Sequence, residues 1–434
     1  MVADFATSED PAVQRQLDRL ARMKLQHGRF DTSVIRALLE RLGNPQDRLP
    51  PVFHVAGTNG KGSTCAFLRA MLEADGKTVH VSTSPHLVRF NERIRVAGEV
   101  ISDEALAALL EEVIDASDGL GTSFFEVSTA ASLLAFARTP ADAAIVEVGL
   151  GGRLDATNVF KRPAACGIAA LGIDHEEYLL RAEDGLPTSP LARIAFEKAG
   201  IVRPGSSLVT LSYPPEAELE IERAAMAAGA PLAMRGTHWH ASVTDVLTYA
   251  DRHGELVLPL PAMRGEHQAE NAALAVAMLR HQDYVTVAPE ALAKGIRRAR
   301  WPARLQKLGD GPLTRLAGRS HTVWLDGGHN PSAGQVLATH FSGSEPLHLV
   351  LGMLARKDPA AIVGPLRENL ATVQVVPVPG DVSHRAEDVC PRAMNRETVE
   401  QALEALPDDG LPVLIAGSLY LAGEVLRLND EMPD

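Results

Sequence analysis

Short apolar runs alternate with longer segments of helical periodicity along nearly the whole chain. Val52–Val55, Thr78–Ser82, Ala143–Val148, Ala165–Ala170 and Ser207–Leu211 read as strands. Ala12–Leu25, Ser33–Leu42, Ser63–Ala74, Asp103–Ala116, Glu126–Ala137 and Pro215–Ala228 read as helices. The strands lack polar alternation, which predicts burial on both faces and a mostly parallel sheet between helix layers. Thr237–Leu260 differs, with alternating polarity around Asp251–Gly254, and is expected to be an antiparallel hairpin on the sheet edge. Helices Gln268–Arg280 and Pro289–Arg298 follow, and a second series of strands begins after Trp301: Thr322–Leu325, Leu347–Leu351, Val373–Val378 and Val413–Ala416.

The fold class is therefore α/β. Residues 1–300 are expected to form a P-loop-type, mostly parallel sheet domain, and 301–434 a smaller Rossmann-like one. Open parallel sheets bind ligands beyond their strand C-termini, so a cleft between the two domains is the expected site.

The chain has 434 residues, with 42 basic and 55 acidic side chains and a formal net charge of −13. That excess of negative charge argues against a nucleic-acid partner. Its three cysteines, Cys65, Cys166 and Cys390, show no metal-like spacing, which suggests a reducing, cytoplasmic setting. Met1–Gln14 carries Asp4, Glu9 and Asp10 and has no apolar core, so no signal peptide is expected. No apolar run reaches the roughly 18 residues of a membrane span.

One segment carries candidate chemistry by itself. Val52–Ala56 leads into Gly57-Thr58-Asn59-Gly60-Lys61-Gly62-Ser63-Thr64, and a helical pattern follows. In such a turn, glycines let backbone N–H groups close on a phosphate, and the helix N-terminus adds partial positive charge. Lys61 would neutralise the outer phosphates, and Ser63 or Thr64 would reach phosphate or magnesium. Against the usual nucleotide loop, Val55 stands where a glycine is wanted and Gly62 where a hydroxyl is wanted. The plainer alternative is a strand-to-helix turn with an incidental lysine.

Further motifs fall at strand ends: Ser82–Leu87, Glu147–Asn158, Leu171–Tyr178, Glu197–Ile201, Gly265–Gln268 with Asn271, Trp301–Arg304 and Leu325–Pro331. With the glycine loop, and in this order, they resemble the folylpolyglutamate synthase/dihydrofolate synthase family, a branch of the Mur ligase superfamily. The likeness runs from about Gln16 to about Leu421. It implies a ligase in which a substrate carboxylate takes the γ-phosphate of ATP and the acyl phosphate is then attacked by the amine of L-glutamate. The implied substrates are dihydropteroate and reduced folates. A synthase acting on folates alone, or a ligase acting on a UDP-muramoyl acceptor, are the alternatives within the superfamily; a non-catalytic nucleotide switch lies outside it. The implied cofactors are ATP and Mg²⁺, two ions, with no organic prosthetic group, and a monomer is expected.

The resemblance also assigns residues. Thr58, Asn59, Gly60, Lys61, Gly62, Ser63, Asn271, Arg304 and Asp326 match ATP-binding positions. Ser84, Glu147 and His175 match magnesium ligands, a plausible hard-donor set. Lys198 matches a lysine that is carbamylated in the family and supports a second magnesium; without that likeness it reads as an exposed lysine at a helix end. His329 is placed near the phosphates or the incoming glutamate, and Asn330 either there or as a helix cap. Phe30, Asp31, Ser123, Phe124, Leu154, Asp155 and Ala156 match pterin-binding segments. Phe124 and Phe125 fit a flat ring or a plain core equally well. The stretch from Arg181 to Pro187 lengthens the span between His175 and Lys198 relative to the family pattern.

Overall fold

The computed structural model describes residues 6–23, 31–181, 183–343 and 345–433. Phe30, and the Lys24-Leu25 end of the first expected helix, lie outside them. The chain divides into two compact units. One comprises the chain up to Pro85, Arg89–Ala262 and Glu266–Arg300; the other comprises His86–Val88, Met263–Gly265 and Trp301–Asp434.

Among the described residues of the first unit, the main sheet has eight strands: β1 (Val52–Ala56), β2 (Val79–Ser82), β3 (Ile94–Val96), β4 (Glu99–Val100), β5 (Ala143–Glu147), β6 (Ala165–Ile168), β7 (Ser207–Thr210) and β8 (Leu232–Met234). Their order is β4-β3-β2-β5-β1-β6-β7-β8. The six strands from β2 to β8 in that order run parallel, while β3 and β4 are antiparallel additions at one edge. Every residue of β1 and β5 is buried, the result predicted by apolar runs interrupted only by His54 and ended by Glu147.

The helices are α1 (Pro11–Ala21), α2 (Ser33–Arg41), α3 (Lys61–Ala74), α4 (Asp103–Ala116), α5 (Phe124–Arg138), α6 (Glu176–Leu179), α7 (Pro190–Ala199), α8 (Pro215–Ala228), α9 (Glu266–Arg280) and α10 (Pro289–Arg298). Apolar clusters among the described residues of this unit include one with Phe90, Phe124 and Phe136 and another with Ile168, Ile201 and Ile221. The histidine in β1 survives burial because Thr157 Oγ1 lies 2.9 Å from His54 Nε2. Desolvation drives its pKa down to about 3, so the ring is neutral. No helix among the described residues is long and apolar enough to cross a membrane.

The sequence expectation fails in several places. Thr237–Leu260 is not a hairpin on the main sheet but a separate antiparallel sheet of β9 (Trp239–Val243), β10 (Leu247–Asp251) and β11 (Gly254–Leu258). Its inward face carries Trp239 and Tyr249, fully buried with rings 5.7 Å apart. These large rings are covered by packing on α9 rather than by extending the sheet edge. The short strands β3, β4 and β8 gave too little periodic signal to be read, and of α7 only the end that carries Lys198 was read as helix. Helices α1, α3, α5 and α9 also start one or two residues earlier than the apolar pattern suggests, while α2, α4, α8 and α10 start where expected. Ser123 caps α5, with its hydroxyl accepting from Glu126 N and the Glu126 carboxylate accepting from Ser123 N.

In the second unit, the described strands are β12 (Gln306–Lys307), β13 (Val323–Asp326), β14 (Leu347–Leu351), β15 (Leu370–Val375), β16 (Ala393–Asn395) and β17 (Val413–Ala416), in the order β12-β13-β17-β14-β15-β16. All but β12 are parallel. Strand β15 starts at Leu370, earlier than the Val373–Val378 run suggested. Cores on both faces, around Ile415 and Leu426 on one and Leu349 and Ile362 on the other, are expected for a buried parallel sheet.

Candidate active site

The glycine loop sits at the C-terminal end of β1 and opens α3. Gly57 (φ +155°) and Gly60 (φ +83°) take backbone conformations that side-chain-bearing residues rarely adopt. Thr58 N and Asn59 N both donate to the Ala170 carbonyl, at 2.8 and 3.2 Å. The Thr58 hydroxyl donates to the Gly172 carbonyl at 2.9 Å and accepts from Gly172 N at 3.1 Å. The loop is thereby stitched to the chain leaving β6, and Lys61 is folded over it, its ammonium 3.3 Å from the Thr58 carbonyl. Gly60 faces Asn271 so closely that a Cβ there would collide with Asn271 Oδ1. Gln268, also buried on α9, fixes that amide by accepting from Asn271 Nδ2 at 3.1 Å. Ser63 is buried in the first turn of α3, and the Thr64 hydroxyl donates to the Gly60 carbonyl at 2.9 Å.

Ser84 and Glu147 are brought together by strand pairing. Parallel β2 and β5 pair Ser82 with Val146, so the residues just beyond meet. Ser84 N donates to Glu147 Oε2 at 3.1 Å, and Glu147 is 5% exposed. His175 stands exposed in the loop after β6 with φ +54°, its backbone N–H donating to Asp174 Oδ1 at 2.8 Å.

Lys198 departs from the reading of an exposed helix-end lysine. It is 4% exposed, and its Nζ donates to the Gly57 carbonyl at 2.9 Å, directly behind the glycine loop. Burial first, and then the charge of Lys61, pull its pKa down to about 7 against the opposing pull of Asp174, Asp155 and Glu197. A large fraction of this amine is therefore neutral near pH 7. Its neighbour Glu197 is buried in an ion cluster that sequence reasoning did not find: Arg153 Nη2 lies 2.9 Å and Arg193 Nη2 3.1 Å from Glu197 Oε1. The i,i+4 spacing of Arg193 and Glu197 was the available signal. Glu183, in the lengthened stretch, reaches the same two guanidiniums at 3.9 and 3.6 Å. That stretch is thus tied to the helix that carries Lys198.

The residues matched to pterin binding are more dispersed in role. Asp155 is buried, and its oxygens accept from Leu150 N (2.8 Å), Thr157 N (2.9 Å) and the Thr157 hydroxyl (2.5 Å), so it braces the loop after β5. Desolvation nonetheless raises its pKa. Leu154 is half-buried. Phe124 and Ala156 belong to one apolar cluster, with Phe124 packed edge-on to Phe90 at 5.9 Å. The half-buried Phe125 ring lies across Gly149, where a Cβ would collide with it. Asp31 is exposed and accepts from Ser33 N at 2.6 Å, ahead of α2.

In the second unit, Asp326 ends β13. Its Oδ2 accepts from Leu305 N at 2.8 Å and its Oδ1 from Gly328 N at 2.7 Å, which ties the Trp301–Leu305 segment to the strand end. Arg304 donates to the Ala303 carbonyl at 2.9 Å. His329 Nδ1 lies 3.1 Å from the Gly327 carbonyl. Asn330 caps the helix Pro331–Phe341, accepting from Ala333 N at 3.0 Å, so the capping alternative describes its side chain.

A glycine loop at one strand end, a buried carboxylate at the next and a buried amine behind the loop stand on an α/β fold of the Mur ligase class, that of an ATP-dependent ligase. Comparison with known proteins makes this specific, although no family model matches the chain. A dihydrofolate synthase/folylpolyglutamate synthase of Escherichia coli is 34% identical over 392 residues, 88% of this chain and 87% of that protein. The solved structure of Escherichia coli FolC with DHPP and ADP aligns with TM-score 0.84 and 31% identity, covering 98% of this chain and 99% of that one. A bifunctional folylpolyglutamate synthase/dihydrofolate synthase with Mn, AMPPNP and L-glutamate bound aligns with TM-score 0.82 and 29% identity, over 96% and 97%. The chain belongs to the folylpolyglutamate synthase/dihydrofolate synthase family.

Proposed function

We propose that this protein is an ATP-dependent ligase that joins L-glutamate to dihydropteroate and extends reduced folates with further glutamates. The observation that carries the reading is the seating of Lys198 on Gly57 of the phosphate loop, at 2.9 Å, in a chain whose relatives are ligases of this kind. The loop residues Thr58–Ser63 and Asn271 are the first unit's nucleotide contacts, and Arg304 and Asp326 the second unit's. Phe30, Asp31, Ser123, Phe124, Leu154, Asp155 and Ala156 belong to the pterin subsite, where Asp155 acts by shaping the Leu150–Thr157 loop.

A carboxylate is a poor acyl donor because its leaving group would be oxide. Attack of a carboxylate oxygen on the γ-phosphorus of ATP expels ADP and converts that oxygen into a phosphate leaving group. The glutamate amine then adds to the acyl carbon and phosphate departs with the C–O electron pair. Lys61 and the N-terminus of α3 stabilise negative charge on the transferred phosphoryl group. His329 serves the incoming glutamate.

Ser84, Glu147 and His175 offer hydroxyl, carboxylate and imidazole donors suited to Mg²⁺, and the Ser84 backbone N–H, donating to Glu147 Oε2 at 3.1 Å, holds the carboxylate beside the serine. When bound, the ion neutralises phosphate charge. Lys198 supports a second ion as its carbamate: a buried amine with a pKa of about 7 supplies the neutral nucleophile that adds CO₂. Lys198→Ala should lose most activity, and short-chain carboxylates should partly restore it; full activity without them would end this part of the reading. A monomer working in a reducing cytoplasm completes the proposal, consistent with three free cysteines, two of them buried.

The test is phosphate release by purified enzyme with ATP, Mg²⁺ and glutamate, given dihydropteroate or a reduced folate, with mass analysis of the product. Glutamate-dependent release with both acceptors is expected. Release with neither would refute the reading, and release with folate alone would restrict it to polyglutamylation.

A further inference from the structure

We infer that His321, His348 and Asp409 form a site for a divalent transition-metal ion at the N-terminal edge of the second unit's sheet. One ligand atom from each of the three lies within 4.8 Å of the other two. The topology makes the cluster: His321 precedes β13, His348 lies within β14, Asp409 precedes β17, and β17 runs between the other two strands. Asp326 stands at the opposite end of β13, so this cluster is separate from the groups assigned to nucleotide binding.

The hydrogen bonds around the two rings leave room for a cation. His321 Nδ1 is 2.7 Å from the Leu411 carbonyl, and its Nε2 is 3.0 Å from the Pro407 carbonyl. A carbonyl cannot donate, and a neutral imidazole has one N–H. One of these two contacts therefore sets a nitrogen lone pair against an oxygen lone pair unless a cation sits there. Metal-bound histidines ordinarily give their remaining N–H to a carbonyl or similar acceptor. Leu411 offers that acceptor to His321 Nδ1, leaving Nε2 as a ligand. Thr372 Oγ1, 2.8 Å from His348 Nδ1, offers it to His348, leaving Nε2 directed at Asp409 Oδ1, 3.1 Å away.

The spacing suits a metal. Ligand atoms bound at about 2.0–2.1 Å lie roughly 3.0–3.4 Å apart, a separation the His348–Asp409 pair already has. The His321 ligand atom lies within 4.8 Å of the other two, and the exposed turn that carries Asp409 can draw in around an ion. Ser320 holds that turn near its own neighbour His321 by donating to Asp408 at 2.8 Å. Two imidazoles and one carboxylate favour Zn²⁺, Co²⁺ or Ni²⁺ over Mg²⁺. A bound ion would staple the Pro407–Leu411 turn across three strands and stabilise this unit. The competing occupant is a proton: an imidazolium at His321 also satisfies both carbonyls.

Co²⁺ titration of chelator-stripped, full-length protein in excess Mg²⁺, which fills the oxygen-rich site, separates these cases. Visible d–d absorption saturating at one Co²⁺ per chain is expected. His321→Gln and Asp409→Asn should each weaken it at least tenfold while keeping ATP-dependent phosphate release, and Glu147→Gln should leave the band in place. Because Asp409 is exposed, its variant tests the site without disturbing the core. Zn²⁺ should raise the melting temperature of the wild type and not of His321→Gln. No band, a band that survives His321→Gln, or one that vanishes with Glu147→Gln would overturn the inference. So would imidazole ¹⁵N spectra showing a doubly protonated His321 at neutral pH that Zn²⁺ does not perturb.

Discussion

Replacing Lys198 with methionine removes a buried amine while keeping an unbranched chain of similar volume. In the folded protein this lysine titrates at about 7, against 10.5 for the free side chain. Above pH 7 the native amine has lost its proton while the unfolded one keeps it until about pH 10.5. The unfolded state then binds more protons, so stability rises with pH across that window. The slope approaches 1.4 kcal/mol per pH unit, and the full penalty, felt below pH 7, is about 5 kcal/mol. Between about pH 7.5 and 9.5 the wild type should gain about 2 kcal/mol relative to Lys198→Met, other groups cancelling between the two proteins. Urea unfolding of both proteins in CO₂-free buffer at the two pH values measures this difference. The lost hydrogen bond to Gly57 contributes a pH-independent offset and does not affect the comparison. Stability curves that stay parallel within about 0.5 kcal/mol would show that Lys198 is solvated and charged in the native state, and the reasoning from its burial would fail.

Lys61→Ala should leave the circular dichroism spectrum unchanged and lower turnover by about a hundredfold or more, since it removes the cation over the transferred phosphate; near-normal turnover would refute the loop assignment. Gly60→Ala should weaken nucleotide binding at least tenfold by calorimetry, because φ is +83° and the new Cβ meets Asn271. Glu197→Gln removes the buried carboxylate that Arg153 and Arg193 share, leaving them only the more distant, partly exposed Glu183, and should cost about 3 kcal/mol in urea unfolding. Glu183→Ala, on a partly exposed partner of the same arginines, should cost no more than about 1 kcal/mol; equal losses in the two variants would contradict the burial difference between them.

Local pattern determined much of this protein. The apolar runs of β1, β5 and β14 can be strands buried on both faces and little else, and the Gly57–Lys61 turn can adopt its path only with glycine where φ is positive. The bounds of α4, α8 and α10 were legible because caps, prolines and apolar spacing agree there. Tertiary structure decided the rest, since charge, burial and partnership belong to neighbours distant in the chain. Lys198 looks like any helix-end lysine until α7 packs behind the loop and its amine meets Gly57, 141 residues earlier. Asp155 looks available to a ligand until Leu150 and Thr157 occupy its oxygens. The Thr237–Leu260 strands alternate as an edge hairpin would, yet Trp239 and Tyr249 need more cover than a sheet edge provides, and α9 supplies it. Periodicity encodes which face a residue presents; what that face meets is set by the packing of the whole chain.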